Sequence, residues 1–273
     1  MATRYLIVVS AEDEIAQLIA EPWGTPPSLG EFIQGAAIRQ LSPEVELLRR
    51  SVLHIHDANL GHALPERLRA VPLVFPSRHR SESGTACLTV HPLGNLGASA
   101  EVGGEPGRLV PTAARLMADA LRQLEEPAQA LGIPATFEAT HHGPLLHQPA
   151  FFVEVADVLS ENDRQRAAAS MADALRDLTE DPADRVAVGV GGGHYAPHFT
   201  EMTLTRRWAL GHIVPRHALE GLTPEIQRQL REGTPAPEGA IFQRAADADR
   251  PEWKTWGPRL RDGDAPPRPT GVA

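Results

Sequence analysis

The residues best suited to chemistry in this 273-residue chain close the run Ala135-Thr-Phe-Glu-Ala-Thr-His-His-Gly-Pro144. Thr136, Phe137, Ala139 and Thr140 suit a pleated strand, and Gly143-Pro144 stops it. His141 and His142 are therefore expected at the carboxyl end of that strand, the edge at which open α/β sheets bind ligands. Two imidazoles there can serve as general base, proton relay or metal ligands, because histidine titrates near neutrality and its neutral nitrogen binds zinc. The alternative is a core histidine with a satisfied hydrogen bond beside a solvated one. Glu138, three and four residues upstream, could orient one imidazole, but alternation along a strand lets it reach only one of the pair.

Three further stretches carry reactive side chains beside strand-like runs. Pro72-Leu-Val-Phe75 leads into the polar loop Ser77-Arg-His-Arg-Ser-Glu-Ser-Gly84, which holds Arg78 and Arg80, and then into Leu88-Thr-Val-His-Pro-Leu-Gly-Asn95 with His91 and Asn95. Arg185-Val-Ala-Val-Gly-Val190 runs into Gly191-Gly-Gly-His-Tyr-Ala-Pro197. This is not a dinucleotide fingerprint, since His194 stands at the third glycine position and Pro197 is expected to interrupt the helix that should follow. Gly191, Gly192 and Gly193 instead let backbone N–H groups approach a substrate or oxyanion, with His194 and Tyr195 alongside, or they form a plain tight turn. Val52-Leu-His-Ile-His56 reads as a half-buried strand, with His54 and His56 on one solvated face.

Positioning these residues requires alternating strands and helices. Tyr5–Ser10 is a β-branched run followed by a helical pattern at Ile15, Leu18 and Ile19; residues 21–30 read as a loop, Leu64–Ala70 as a short helix, and Pro111–Leu131 as the longest helix. A strand at Ala150–Val155, a helix at Asp163–Leu178, a strand at Trp208–Val214 and a helix at Thr223–Leu230 complete the pattern. It predicts one three-layer α/β domain over residues 1–260 with a largely parallel mixed sheet, and a disordered tail over 261–273. A formal charge of -9 and a pI near 5.7 argue against a nonspecific nucleic-acid coat. Lys254 is the single lysine, and the single cysteine, Cys87, cannot build a thiolate zinc site or an internal disulfide. No apolar leader and no run of membrane-spanning length is visible, so a cytoplasmic location is the expectation.

Taken in order, Ser77–Gly84, Leu88–Asn95, Glu138–Pro144, Gly191–Pro197 and Gly211-His-Ile-Val-Pro215 resemble the D-aminoacyl-tRNA deacylases of archaeal and plant type. The resemblance implies hydrolysis of the ester between a D-amino acid and tRNA, a fold similar to peptidyl-tRNA hydrolase, and a zinc cofactor. It departs from the family after Phe152-Val-Glu-Val-Ala-Asp157, where a Gly-Ser pair usually follows, at His198, where Arg or Lys is expected, and at Glu252-Trp-Lys-Thr255, where the family has Asp-Trp-Lys-Gly. On this reading His141 or His142 is the base, directly or through a zinc-activated water, assisted by Glu138 and His194. His141, His142 and His194 are the expected zinc ligands. His91, Asn95, Gly191, Gly192, Gly193, Tyr195, Arg78 and Arg80 are expected to bind the aminoacyl-tRNA acceptor end, with Tyr195 stacking on the adenine. Arg78, Arg80, Arg206 and Arg207 are expected to gather into one positive patch. The rival readings are another carboxylic-ester or N-acyl hydrolase with the same pocket, and a non-catalytic RNA-binding module; 5% aromatic content and the acidic charge weigh against the module.

Overall fold

The computed structural model describes residues 2–80, 84–256 and 259–268. The opening apolar run forms β1 (Tyr5–Ser10), buried along its whole length as a central parallel strand must be. Parallel to it on either side lie β4 (Val45–Arg50) and β5 (Leu73–His79). β8 (Ala150–Ala156) continues the sheet parallel to β5, and then the direction reverses: β6 (Leu88–Pro92) is antiparallel to β8, and β7 (Ala135–Phe137) follows β6. A hairpin of β2 (Ser28–Ile33) and β3 (Ala36–Ser42) completes eight strands in the order β2-β3-β4-β1-β5-β8-β6-β7. A second, all-parallel sheet has the order β10-β9-β11-β12, formed by Trp208–Val214, Arg185–Val190, Ala240–Phe242 and Arg259–Leu260.

One face of the large sheet packs against α1 (Glu14–Ala20), α3 (Ala114–Leu131) and α4 (Glu161–Ala174). On α3, Leu116, Ala120, Leu121 and Leu124 form the buried stripe predicted from their spacing, in one cluster with Ile7, Val153 and, from the second sheet, Trp208 and Leu210. α3 thereby joins the two sheets, and burying each of its leucines contributes roughly 1.5–3 kcal/mol. It ends at Gly132, whose φ of +70° is the left-handed conformation glycine adopts at a helix terminus. The other face, with Leu6, Val8, Phe75 and Phe152, is covered by α2 (Leu60–Ala63), neighbouring turns and Leu146. The expected single α/β domain with a largely parallel mixed sheet is found, but among the described residues this face lacks the expected full helical layer. The small sheet carries α5 (Pro197–Thr205) and α6 (Pro224–Gly233).

Several local expectations are corrected. Val52–His56 is not a strand: His54–His56 is a 3₁₀ turn, with His54 buried at hydrogen-bonding distance from Val8 O and Ser10 N while His56 is exposed. The Leu64–Ala70 helix shrinks to a 3₁₀ turn at Glu66–Leu68. Residues 21–30 are not all loop, because β2 begins at Ser28; its exposed Leu29 and Phe32 give an edge strand no inward alternation to read. Pro197 starts a helix rather than interrupting one, since the first turn needs no N–H from that position. Residues 261–268 lie along the small sheet, where Arg268 N–H donates to Thr205 O and Ala265 is buried; residues 269–273 of the expected tail lie outside the described residues.

Candidate active site

Period-two alternation decides what gathers here. Leu88, Val90, Phe151, Val153 and Val155 face the helices, so Thr89, His91, Phe152 and Glu154 project from the opposite face of β6 and β8, beside Ser77 and His79 of β5. Ser77 lies opposite Glu154 and His91 opposite Phe152, on whose ring it stacks at 5.2 Å between centroids. The reversal between β8 and β6 corrects the expectation of a common carboxyl edge: the carboxyl end of β6 meets the amino end of β8, with Pro92 opposite Phe151.

Past β7 the chain bridges the sheets. Ala139 N–H donates to His194 O and Thr140 N–H to Ile213 O, each at 2.8 Å, which carries His194 from the small sheet to the large one. His141 and His142 then stand beside His91, with ring centroids 4.1 and 4.8 Å from it. His142 has φ +39°, a conformation rare for a residue with a side chain and a mark of a constrained site.

A backbone carbonyl fixes each of these three rings. His141 Nδ1 lies 2.8 Å from Ala139 O, His142 Nδ1 2.7 Å from Gly143 O and His91 Nδ1 3.2 Å from Pro92 O. A carbonyl only accepts, so Nδ1 carries the proton in each neutral ring and Nε2 presents a lone pair. Burial, then repulsion from His91 and His142, pushes the His141 pKa well below its ordinary value. Burial and His91 likewise hold His142 at about 4. Both are neutral at pH 7.

Beneath them lies an ion cluster. His79 Nδ1 is 3.2 Å from Glu154 Oε2 and 3.5 Å from Glu138 Oε1, and its Nε2 is 2.9 Å from the Tyr195 hydroxyl. Burial opposes the charge on His79, but Cys87, Glu154 and Glu138 outweigh it and raise the imidazolium to about 12. Burial would raise both carboxyls; His194, His141 and His91 instead hold Glu138 at about 2, and His79 and His91 do the same for Glu154. His194 Nε2 lies 3.0 Å from Glu138 Oε1. Glu154→Gln removes one partner of this buried pair and is expected to cost about 3 kcal/mol, a Tm lower by roughly 6–12 °C in thermal unfolding. An unchanged Tm would mean His79 is not held as an ion.

Among the described residues, three groups have ligand atoms within 4.8 Å of one another: His91, His141 and His142; Glu138, His141 and His194; and His79, Glu138 and Glu154. The expected trio of His141, His142 and His194 is not among them: His91 joins His141 and His142, and His194 groups with Glu138 and His141. Donor chemistry in the first group fits a divalent metal. His141 and His142, both neutral, converge with His91 through Nε2, each ring oriented by a carbonyl behind it. Burial opposes charge on His91, but Glu154 and Glu138 outweigh it and raise its pKa, so a metal there would compete with a proton. The buried His91 Nε2 has no hydrogen-bond partner among the described residues. The two oxygens of buried Glu138 likewise have none in hydrogen-bonding geometry.

A cavity of about 580 Å³ opens over this cluster, lined by His141, His142, His194, Glu154 and Phe152, by Asp13, Ser77, Arg78 and Arg80, and by Asn95 and Val102 of the far wall. Ser77 and Asp13, absent from the expected site, meet through a 2.7 Å hydrogen bond in which Oγ donates to Oδ2. Asn95 lines the cavity but spends its amide N–H groups on Gly103 O and Glu105 O, so it braces the loop. Tyr195 is likewise a brace, through His79, rather than an open stacking platform. Gly191, Gly192 and Gly193 do not line the cavity: Gly191 N–H is already donated to Val214 O, and a side chain on Gly192 would meet Gln243. Arg78 and Arg80 stand at the rim, but Arg206 and Arg207 sit at the start of β10, paired with Asp262 and Asp181, so the four do not form one patch. His79 and Glu154 were missed; a single carboxylate inside the apolar run Phe151-Phe-Val-Glu-Val155 is the signal that could have found the second. Ser81, Glu82 and Ser83 of the polar loop lie outside the described residues.

The mixed α/β sheet and a cavity floored by neutral histidines and buried carboxylates define an enzyme of acid–base or metal-assisted hydrolytic type. The model of the D-aminoacyl-tRNA deacylase family matches residues 67–255, and the chain belongs to that family. It is 35% identical over 192 residues to the D-aminoacyl-tRNA deacylase of Thermoplasma acidophilum, covering 70% of this chain and 74% of that protein. With the deacylase of Methanoculleus marisnigri it shares 36% over 188 residues, which is 68% of this chain but 42% of that longer protein. A solved structure of a conserved protein of unknown function superposes with a TM-score of 0.76 at 28% identity, covering 88% of this chain and 86% of that one.

Proposed function

We propose that the chain hydrolyses the ester linking a D-amino acid to the terminal ribose of tRNA. The observation that carries this reading is the pair of neutral, carbonyl-anchored rings of His141 and His142 at the cavity floor. An unprotonated Nε2 at neutral pH can take the proton of an attacking water, and the carbonyl behind Nδ1 steadies the ring as it gains charge. Glu138, beside His194 and His141, would stabilise that charge, and His194, half exposed at the cavity wall, is placed to return the proton to the ribose oxygen. Arg78 and Arg80 would meet the substrate at the rim.

His91, His141 and His142 could instead give their Nε2 lone pairs to a zinc ion, which would act there as a Lewis acid toward the ester and would replace the base role of His141 and His142, since one lone pair cannot serve both. Kinship of the fold with peptidyl-tRNA hydrolase also belongs to this reading, and the mixed α/β sheet is compatible with it. So does a cytoplasmic location, with which the lack of any helix long and apolar enough to cross a membrane among the described residues is compatible. The test is incubation with D-aminoacyl-tRNA before and after chelation. Deacylation is expected to fall more than 100-fold on metal removal and to return with zinc. A metal-free preparation with full activity would leave His141 and His142 as bases alone and overturn the metal assignment.

A further inference from the structure

The parallel strands β10, β9 and β11 end side by side, with Val190 level with both Val214 and Phe242. Just past those ends lie Arg216, the triple-glycine turn and Arg244. Their backbones interlock: Arg216 N–H donates to Gly192 O at 3.0 Å, and Gln243 N–H to Val190 O at 2.9 Å. The next residue after the glycines, His194, lines the catalytic cavity, so this edge adjoins it. Gly191 and Gly192 have φ of +117° and +83°, and a Cβ on Gly191 would come within 3.0 Å of the Gln243 side chain. Only glycine allows this turn to lie so close to Gln243.

Gly192 and Gly193 N–H have no acceptor, and the exposed side chains of Arg216 and Arg244 are in no ion pair, among the described residues. By contrast Arg206 and Arg207, at the opposite end of the same sheet, are both neutralised by carboxylates. In a chain of formal charge -9, two unpaired guanidinium groups and two unbonded N–H groups beside the active site make a seat for anions.

We propose that this edge binds phosphodiester groups of the single-stranded acceptor end of tRNA as its aminoacyl-adenosine enters the cavity. The proposal rests on the deacylase reading above. Such contacts position the strand without reading its sequence, which suits an enzyme that must accept many tRNAs. The test compares wild type with the Arg216→Gln/Arg244→Gln double variant on D-aminoacyl-tRNA and on the matching D-aminoacyl-adenosine, which has no phosphate. The variant is expected to lose at least tenfold in kcat/KM on tRNA, through KM. Its plot of log kcat/KM against log salt should be shallower by about 1.4, the value for two phosphates on a single strand. The adenosine ester should be cleaved within twofold of wild type and Tm should be unchanged. Equal losses on both substrates, or no loss on tRNA, would overturn the proposal. Binding of uncharged tRNA, weakened at least tenfold in the variant, reads the edge independently of turnover. A wild type that binds tRNA through these arginines but cleaves neither ester would refute the deacylase reading and leave the edge standing.

Discussion

Replacing His141 or His142 with alanine is expected to lower D-aminoacyl-tRNA deacylation by about 10²–10⁴-fold while moving Tm only slightly. Loss of a positioned general base costs that range, and loss of one of three metal ligands would cost no less. Stability should be nearly indifferent because each ring is half-buried and neutral and, among the described residues, is hydrogen-bonded only to a neighbouring carbonyl, at Ala139 and Gly143. The carbonyl left behind is part of a loop beside the cavity, where water can replace the imidazole. Single-turnover deacylation and thermal unfolding of the two variants decide the matter. If both keep near wild-type rates, the chemistry does not run through this pair; if both lose stability along with activity, the rings are structural.

What the sequence made legible follows from how local each signal is. The strand before His141-His142-Gly143-Pro144 was readable only at its start: β7 ends at Phe137, and Ala139 and Thr140, expected within it, turn their N–H groups to His194 O and Ile213 O instead. The α3 stripe was readable because 3.6-residue spacing does not depend on partners. The direction of β6 and β7 against β8 was not, since strand polarity is decided by which chains meet across the sheet. That reversal brings His91 and Glu154 onto one face, while His194 groups with Glu138 and His141 rather than in the expected metal trio. Glycine was the most ambiguous letter. The run at Gly191 marks close packing on Gln243 rather than an oxyanion cradle, whereas Gly143, legible in sequence as a strand stop, is the tighter position. Paired arginines misled in the same way: Arg206 and Arg207 look like a nucleic-acid contact until Asp262 and Asp181 are seen against them.

That tight position bears on the property that separates a D-aminoacyl-tRNA deacylase from a general esterase. Because the L ester is far more abundant, the pocket must reject it by a clash or an unpaired polar group; good binding of the D form does not exclude its mirror image. Discrimination of about 10³-fold needs roughly 4 kcal/mol, more than a misplaced methylene supplies but within reach of a wall that cannot yield. The structure offers such a wall in the loop around Val102, which lines the cavity and is clamped from behind. Gly143 N–H donates to Val102 O at 3.2 Å, and a Cβ on Gly143 would stand 2.1 Å from Gly104 N and 2.5 Å from Gly103 C, both backbone atoms that cannot swing aside. Asn95 ties the same loop down through Gly103 O and Glu105 O. The D form of an aromatic aminoacyl-tRNA should therefore be cleaved at least 10³-fold faster than its L form. Gly143→Ala, by forcing the loop off its seat, should reduce that ratio at least tenfold, whichever of the two rates changes more. Matched D and L esters on one tRNA, assayed with wild type and variant, measure both numbers. Comparable D and L rates in the wild type would place the protein among nonselective hydrolases, and an unchanged ratio in Gly143→Ala would move the chiral wall away from this loop.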